Sequence, residues 1–192
     1  IESSRETLLS QRNKKLHFLQ QILDSRPQSK QLALEFLRVN QQLNKTIGTL
    51  TPGPAKSVSI HKHAGSLPWP TLGELLGTFG KKVETKSGTV TTQNGITLKA
   101  TYGTQVFAIF EGVVAHTGWL PGYGQIIILD HNHGFHSIVG HLRSVSVRVG
   151  QEVDQLDQIG TVGDSGSLAG TQLYFELRHN GKSLDPLTWL RK

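Results

Sequence analysis

The sequence predicts a mainly β domain, built from antiparallel strands, that follows an α-helical segment. Three observations support this fold class. An apolar stripe at helical spacing runs through the first 48 residues, a stretch rich in Pro, Gly and Ser follows it, and short strand-like runs alternate with Gly-rich turns from about residue 68. We therefore divide the chain into a helical segment (1–48), a linker (49–67) and a β domain (68–192).

Composition indicates a folded globular chain and limits what it can bind. Hydrophobic residues make up 36% and charged residues 18%. Purely apolar runs such as 126–129 are far shorter than the roughly 20 residues that cross a bilayer, so no membrane span is predicted. Cysteine is absent, which excludes disulfides and thiolate metal sites. The net charge of +6 is concentrated in residues 1–90, where we attribute it to solvated helix faces and not to a nucleic-acid site.

The helical segment is predicted to contain two helices. Leucines recur at near-helical spacing in the first, until the run Asp24–Pro27 breaks the pattern. The second helix ends at Gly48, and it carries one apolar stripe: Leu32, Phe36, Val39, Leu43 and Ile47. We expect this segment to be the end of a coiled coil.

The β domain is predicted from six short runs of apolar, β-branched and aromatic residues. Turns such as Gly122–Gly124 and Asn132–Gly134 separate them. Strands of this length at this spacing, with no helix between them, favour antiparallel pairing. The runs are Gln105–Phe110, Gly112–His116, Gln125–Leu129, His136–His141, Val145–Val149 and Gln172–Leu177.

The most informative motif lies in residues 170–177, which read G-T-Q-L-Y-F-E-L. This segment resembles the G-x-H-L-H-F-E motif of the LytM/lysostaphin-type (M23) peptidoglycan peptidases. Gln172 and Tyr174 occupy the positions of its two histidines. The resemblance extends in register over about residues 68–190, through Gly103–Val114, Gly122–His131, His141-Leu142, Gly150-Gln151, Ile159-Gly160 and Asp185-Pro186. It implies an antiparallel two-sheet LytM/M23 domain of the duplicated-hybrid-motif kind.

In active members of that family, a catalytic zinc is held by two histidines and an aspartate. By position, the resemblance implies that Gln93 replaces the first histidine, Thr97 the aspartate and Tyr174 the last histidine. An amide, a hydroxyl and a phenol with a pKa near 10 offer no imidazole or anionic donor at neutral pH. Of the two catalytic histidines, Gln172 replaces one and His141 is kept. We therefore expect no zinc, no other cofactor and no catalysis.

The chain also resembles the LytM factors, in particular those of the EnvC type, in which a degenerate groove serves for binding. The resemblance implies a non-catalytic activator of periplasmic N-acetylmuramoyl-L-alanine amidases, which act on peptidoglycan in cell division. In that group the groove captures an amidase helix that otherwise blocks the amidase's own zinc site. The groove positions implied here are Gln93, Asn94, Thr97, Ile126, Val139, His141, Gln172, Tyr174 and Arg178. His141 departs from the EnvC-type pattern, which tends to lack this histidine.

The resemblance has implications for the helical segment as well. It implies an upstream coiled coil that reaches the FtsE–FtsX transporter and a regulatory helix that shields the groove. The stripe Leu32, Phe36, Val39 and Leu43 has the spacing of such a helix. The alternative is a helical hairpin, in which the stripe packs on the first helix or on the flank of the β domain.

Two other functions remain possible from the sequence. One is a zinc metallopeptidase acting on peptidoglycan cross-links through relocated ligands. The other is a biotinyl- or lipoyl-type carrier, which needs a lysine at a hairpin tip, and the turns 131–134 and 163–166 contain none. We do not expect His131 and His133 to bind metal, and we expect His116, His136 and His179 at the surface.

Overall fold

The computed structural model describes Gln41, Lys45 and residues 59–84, 90–167 and 169–192. The predicted helical segment, apart from Gln41 and Lys45, and most of the linker lie outside the described residues. The stripe Leu32, Phe36, Val39 and Leu43 is therefore outside them too.

The described residues form strands joined by short turns, with two short 3-10 helices, η1 (Ile60–His63) and η2 (Pro186–Thr188). The strands are β1 (Glu74–Gly77), β2 (Lys82–Glu84), β3 (Val90–Thr92), β4 (Ile96–Lys99), β5 (Gln105–Phe107), β6 (Gly112–Leu120), β7 (Gly124–Asp130), β8 (Phe135–Val145), β9 (Glu152–Val153), β10 (Gln158–Val162), β11 (Leu173–His179) and β12 (Lys182–Leu184).

One large antiparallel sheet dominates the fold. Its main path runs β1-β4-β11-β8-β7-β6-β9, with β12 paired to β11 and β10 paired to β5 and β8, while β2 and β3 form a second, two-stranded sheet. The predicted class, mainly β and antiparallel, is confirmed. One detail differs: Val145 is the last residue of β8, so the run Val145–Val149 forms no strand of its own.

The three central strands β7, β8 and β11 are buried on both faces. Because side chains alternate along a strand, Ile127 and Phe175 point into the main core, whereas Ile126 and Tyr174 belong to a smaller cluster on the opposite face. Burial on both sides explains why Ile126–Leu129 is an unbroken apolar run.

Residues 60–69 bind the C-terminal end of the domain. Ile60 is fully buried, and Leu67 forms a parallel bridge with Leu190. The Trp69 indole donates a hydrogen bond to the Arg191 carbonyl at 2.9 Å. The last part of the predicted linker thus packs on the β domain.

His131 stabilises the turn between β7 and β8 from inside the protein. Its Nδ1 lies 2.8 Å from the Glu111 carbonyl oxygen and its Nε2 lies 2.8 Å from the Ser137 hydroxyl. A carbonyl can only accept, so Nδ1 carries the proton and Nε2 accepts from Ser137. Burial lowers the pKa of His131 to about 4. His136, expected at the surface, is also buried, because β8 is covered on both faces.

We expect the stability of the protein to fall in mild acid. His131 stays neutral in the folded state down to about pH 4, but it is protonated below about 6.5 in the unfolded chain. Between these values the unfolded state binds more protons, so lowering the pH reduces the free energy of unfolding, by about 3 kcal/mol for this group. The buried His136 and His141 shift in the same direction.

Urea denaturation at pH values from 7 to 4 measures this effect. His131→Gln should flatten the pH dependence. His133→Gln, which changes an exposed histidine of the same turn, is the matched control and should keep the wild-type slope. An equal slope in the wild type and in His131→Gln would contradict the assignment.

Candidate functional site

The three residues that the resemblance assigns to zinc positions, Gln93, Thr97 and Tyr174, lie next to one another. Thr97 on β4 is the cross-strand partner of Tyr174 on β11. The Gln93 side-chain amide donates a hydrogen bond to the Thr97 hydroxyl at 2.9 Å. We call the face of the sheet that carries Thr97, Tyr174 and Ile126 the groove face.

Gly95 brings residues 93–97 close to β11. A Cβ atom at Gly95 would collide with the Phe175 carbonyl oxygen and approach Glu176. Gly77 on β1 makes room in the same way, because its Cβ would lie 2.7 Å from the Gln93 amide. Glycine at both positions thus allows β1, β4 and β11 to enclose Gln93 and Thr97.

Tyr174 packs with Tyr123 and Ile126 in one buried apolar cluster, which we call the floor of the groove face. Only 7% of Tyr174 is exposed, and its ring packs edge-on against Tyr123, with ring centroids 4.9 Å apart. Its hydroxyl donates a hydrogen bond to Glu176 Oε2 at 2.8 Å. Burial and the nearby Glu176 carboxylate raise the pKa of Tyr174 well above its ordinary value, so the phenol is neutral.

Glu176 and Arg178 form a buried ion pair next to Tyr174, on the same face of β11. Glu176 is fully buried and Arg178 is 2% exposed. Arg178 Nε donates to Glu176 Oε1 at 2.6 Å, and the Ser183 hydroxyl donates to the same oxygen at 2.6 Å. Arg178, which the resemblance assigns to the groove, is thus buried here and balances a charge that would be unfavourable alone.

The structure brings Ile126 to the groove face but not Val139. Ile126 packs in one cluster with Tyr174, whereas Val139 belongs to the main core. The next residue along β8, Gly140, pairs with Tyr174, and a Cβ there would lie 3.5 Å from Tyr174 Cβ. Strand alternation therefore gives the groove face Gly140 in place of Val139.

His141 and Gln172 both contact the loop 163–167. His141 Nδ1 lies 2.8 Å from the Ser165 carbonyl and must donate to it, while burial lowers the pKa of this imidazole. Gln172 donates from Nε2 to the Ser167 hydroxyl at 3.1 Å. Gln172, Gln93, Asn94 and Thr97 are half-buried, so polar side chains border the apolar floor.

The sequence motifs do not point to Tyr123, Gly140 and Glu176 as parts of this site. Tyr123 and Glu176 lie inside the motifs Gly122–His131 and 170–177, but those motifs assign them no role. The available signal was the alternation of β11, since Glu176 must share a face with Tyr174.

The residues at the three metal positions do not fit a zinc ion. Zinc in proteins takes thiolate, imidazole or carboxylate ligands, and an amide, a hydroxyl and a neutral phenol are none of these. The Gln93 and Tyr174 groups are also hydrogen-bonded to Thr97 and Glu176. In the part of the chain that the structure describes, no three His, Cys, Asp or Glu side chains are grouped to hold a metal.

Curated proteins similar to this chain take part in cell division or murein hydrolase activation. The cell division protein DipM of Caulobacter vibrioides is 31% identical over 74% of this chain and 24% of its own length. The murein hydrolase activator EnvC of Escherichia coli is 34% identical over 66% of this chain and 29% of its length. The murein hydrolase activator NlpD of E. coli is 37% identical over 64% of this chain and 30% of its length. The chain thus spans about a quarter to a third of these relatives.

Solved structures show the same fold. A putative M23 peptidase from Pseudomonas aeruginosa matches with a TM-score of 0.63 and 24% identity, over 81% of this chain and 62% of that one. Lysostaphin from Staphylococcus simulans matches with a TM-score of 0.57 and 27% identity, over 67% of this chain and 54% of its own.

The described residues include no helix that is long and apolar enough to cross a membrane. The model of peptidase family M23 matches residues 91–186, which is half of the 192-residue chain. With the retained glycines and the adjacent metal positions, this match shows that the chain belongs to peptidase family M23.

Proposed function

We propose that this chain is a non-catalytic activator of peptidoglycan hydrolases. The observation that carries the proposal is the groove face itself: Gln93, Thr97 and Tyr174, which we assign to the family's three metal positions, are adjacent, yet none of them has zinc-ligand chemistry. Its relatives EnvC and NlpD, which are named murein hydrolase activators, support the same role.

The enzymes that it activates are periplasmic N-acetylmuramoyl-L-alanine amidases that split the septal cell wall, so the protein acts in the periplasm. An apolar floor bordered by half-buried amides and a hydroxyl suits an amphipathic helix, whose apolar face packs on the floor while its polar flanks meet the border. Binding that helix favours the open state of the amidase, because a ligand shifts an equilibrium only through its differential affinity for two states.

The helical segment regulates this binding. The stripe Leu32, Phe36, Val39 and Leu43 covers the groove face until an upstream coiled coil, connected to the FtsE–FtsX transporter, withdraws it. The competing arrangement, in which the stripe packs on the first helix or on the domain flank, leaves the groove face open at all times.

The activator proposal predicts that the protein has no hydrolase activity but stimulates an amidase. Mixed with a cognate amidase and dye-labelled sacculi, it should raise dye release, and alone it should release none. Tyr174→Ala should weaken amidase binding by about 2 kcal/mol. Trp119→Ala is the matched control, because Trp119 is 62% exposed and alternation along β6 turns it away from the groove face. Dye release from the sacculi by the protein alone, without amidase, would overturn the proposal.

The metal chemistry predicts a difference in zinc binding between the wild type and a variant with restored ligands. Gln93→His, Thr97→Asp and Tyr174→His together supply two imidazoles and a carboxylate at adjacent positions, so this variant should bind one zinc per chain. The wild type should bind none, as measured by calorimetry and metal analysis. The variant lacking only Thr97→Asp is the control and should bind more weakly. Stoichiometric zinc in the wild-type protein would exclude a metal-free role.

Shielding by the stripe predicts that charges placed in it raise activity. Phe36→Asp with Leu43→Asp should increase amidase stimulation severalfold, because buried carboxylates would detach the stripe from an apolar floor. Gln41→Asp is the control, since Gln41 is helical and exposed. Equal stimulation by all three proteins would exclude shielding and leave the activator role intact.

A further inference from the structure

A buried carboxylate organises the groove face. Glu176 is fully buried and accepts three hydrogen bonds. One oxygen, Oε2, accepts from Tyr174, while Oε1 accepts from both Arg178 and Ser183. The two carboxylate oxygens therefore serve different neighbours.

The hydrogen bond of Tyr174 has a defined direction. Tyr174 has one hydroxyl proton and gives it to the Glu176 carboxylate. The ring of Tyr123 packs edge-on against the ring of Tyr174, with centroids 4.9 Å apart. Tyr174 thus connects the ring of Tyr123 to the Glu176 carboxylate.

The hydrogen bond from Tyr174 to Glu176 fixes the orientation of the floor. A buried phenol without a hydrogen-bond partner is unfavourable, so the Tyr174 ring is held where its hydroxyl reaches Oε2. A bond to a charged acceptor is also stronger than a bond between neutral groups. Tyr123 packs edge-on against Tyr174 and is therefore oriented by the same carboxylate.

We propose that Glu176 is a positioning residue for recognition at the groove face. Its Oε2 atom holds Tyr174, and through it Tyr123, in the orientation that fits the apolar face of the amidase helix. This inference rests on the proposed function. Arg178 balances the negative charge of the Glu176 carboxylate, and Ser183 donates only to Oε1, the oxygen that does not contact Tyr174.

Three variants separate positioning from stability. Glu176→Gln keeps the size of the side chain but has a single acceptor oxygen, which cannot serve Tyr174 and Arg178 together. Tyr174→Phe removes only the hydroxyl and leaves the Arg178–Glu176–Ser183 contacts in place. Ser183→Ala removes a bond to the same carboxylate without touching the tyrosines, and it is the matched control.

We expect Glu176→Gln and Tyr174→Phe each to weaken amidase binding about tenfold, the loss typical of one hydrogen bond to a charged group. The double variant should be little weaker than either single one, since both changes break the same bond. Ser183→Ala should lower the free energy of unfolding and leave the affinity within about twofold. Wild-type affinity in Tyr174→Phe, or fully additive losses in the double variant, would overturn the proposal.

A second readout does not require the amidase. A buried hydroxyl bonded to a carboxylate exchanges slowly with water and gives a proton NMR signal, which Tyr174→Phe assigns by its loss. Glu176→Gln should shift or remove this signal, and Ser183→Ala should keep it. An unchanged signal in Glu176→Gln would show that Glu176 does not position Tyr174. If the wild type shows the expected signals but binds no amidase, the proposed function fails while the orientation of Tyr174 by Glu176 stands.

Discussion

The burial of β7, β8 and β11 on both faces is the constraint on which this domain depends. With apolar packing on each side, a polar group on these strands is unfavourable unless it finds a partner inside the protein. The Glu176 carboxylate meets this requirement with Tyr174, Arg178 and Ser183. His131, at the end of β7, meets it with the Glu111 carbonyl and the Ser137 hydroxyl.

The polar side chains of the groove face meet the same requirement. The Gln93 amide pairs with the Thr97 hydroxyl, and the Tyr174 hydroxyl pairs with Glu176. Gly95 allows the close approach of this segment to β11, because a Cβ there would collide with the Phe175 carbonyl oxygen.

Much of the fold could be predicted from the sequence because the central strands are long and apolar. The short strands β1–β4, β9, β10 and β12 lie outside the six predicted runs, since strands of two to five residues carry too little periodicity. The adjacency of Thr97 and Tyr174 followed from motif positions. The face on which Val139 lies could not be predicted in this way, because motif positions do not state which way a side chain points. The β7–β8 pairing also contains an irregularity, which shifts the register. The role of Glu176 depends on contacts with β12, which the motifs do not describe.

The fastening of residues 60–69 to the C-terminal end has a mechanical consequence. Leu67 bridges Leu190, the Arg191 amide donates to the Leu67 carbonyl, and Trp69 donates to Arg191. A force applied to the chain before residue 60 would therefore act first on these contacts between the two ends of the domain, before it reached the strands that carry Thr97 and Tyr174.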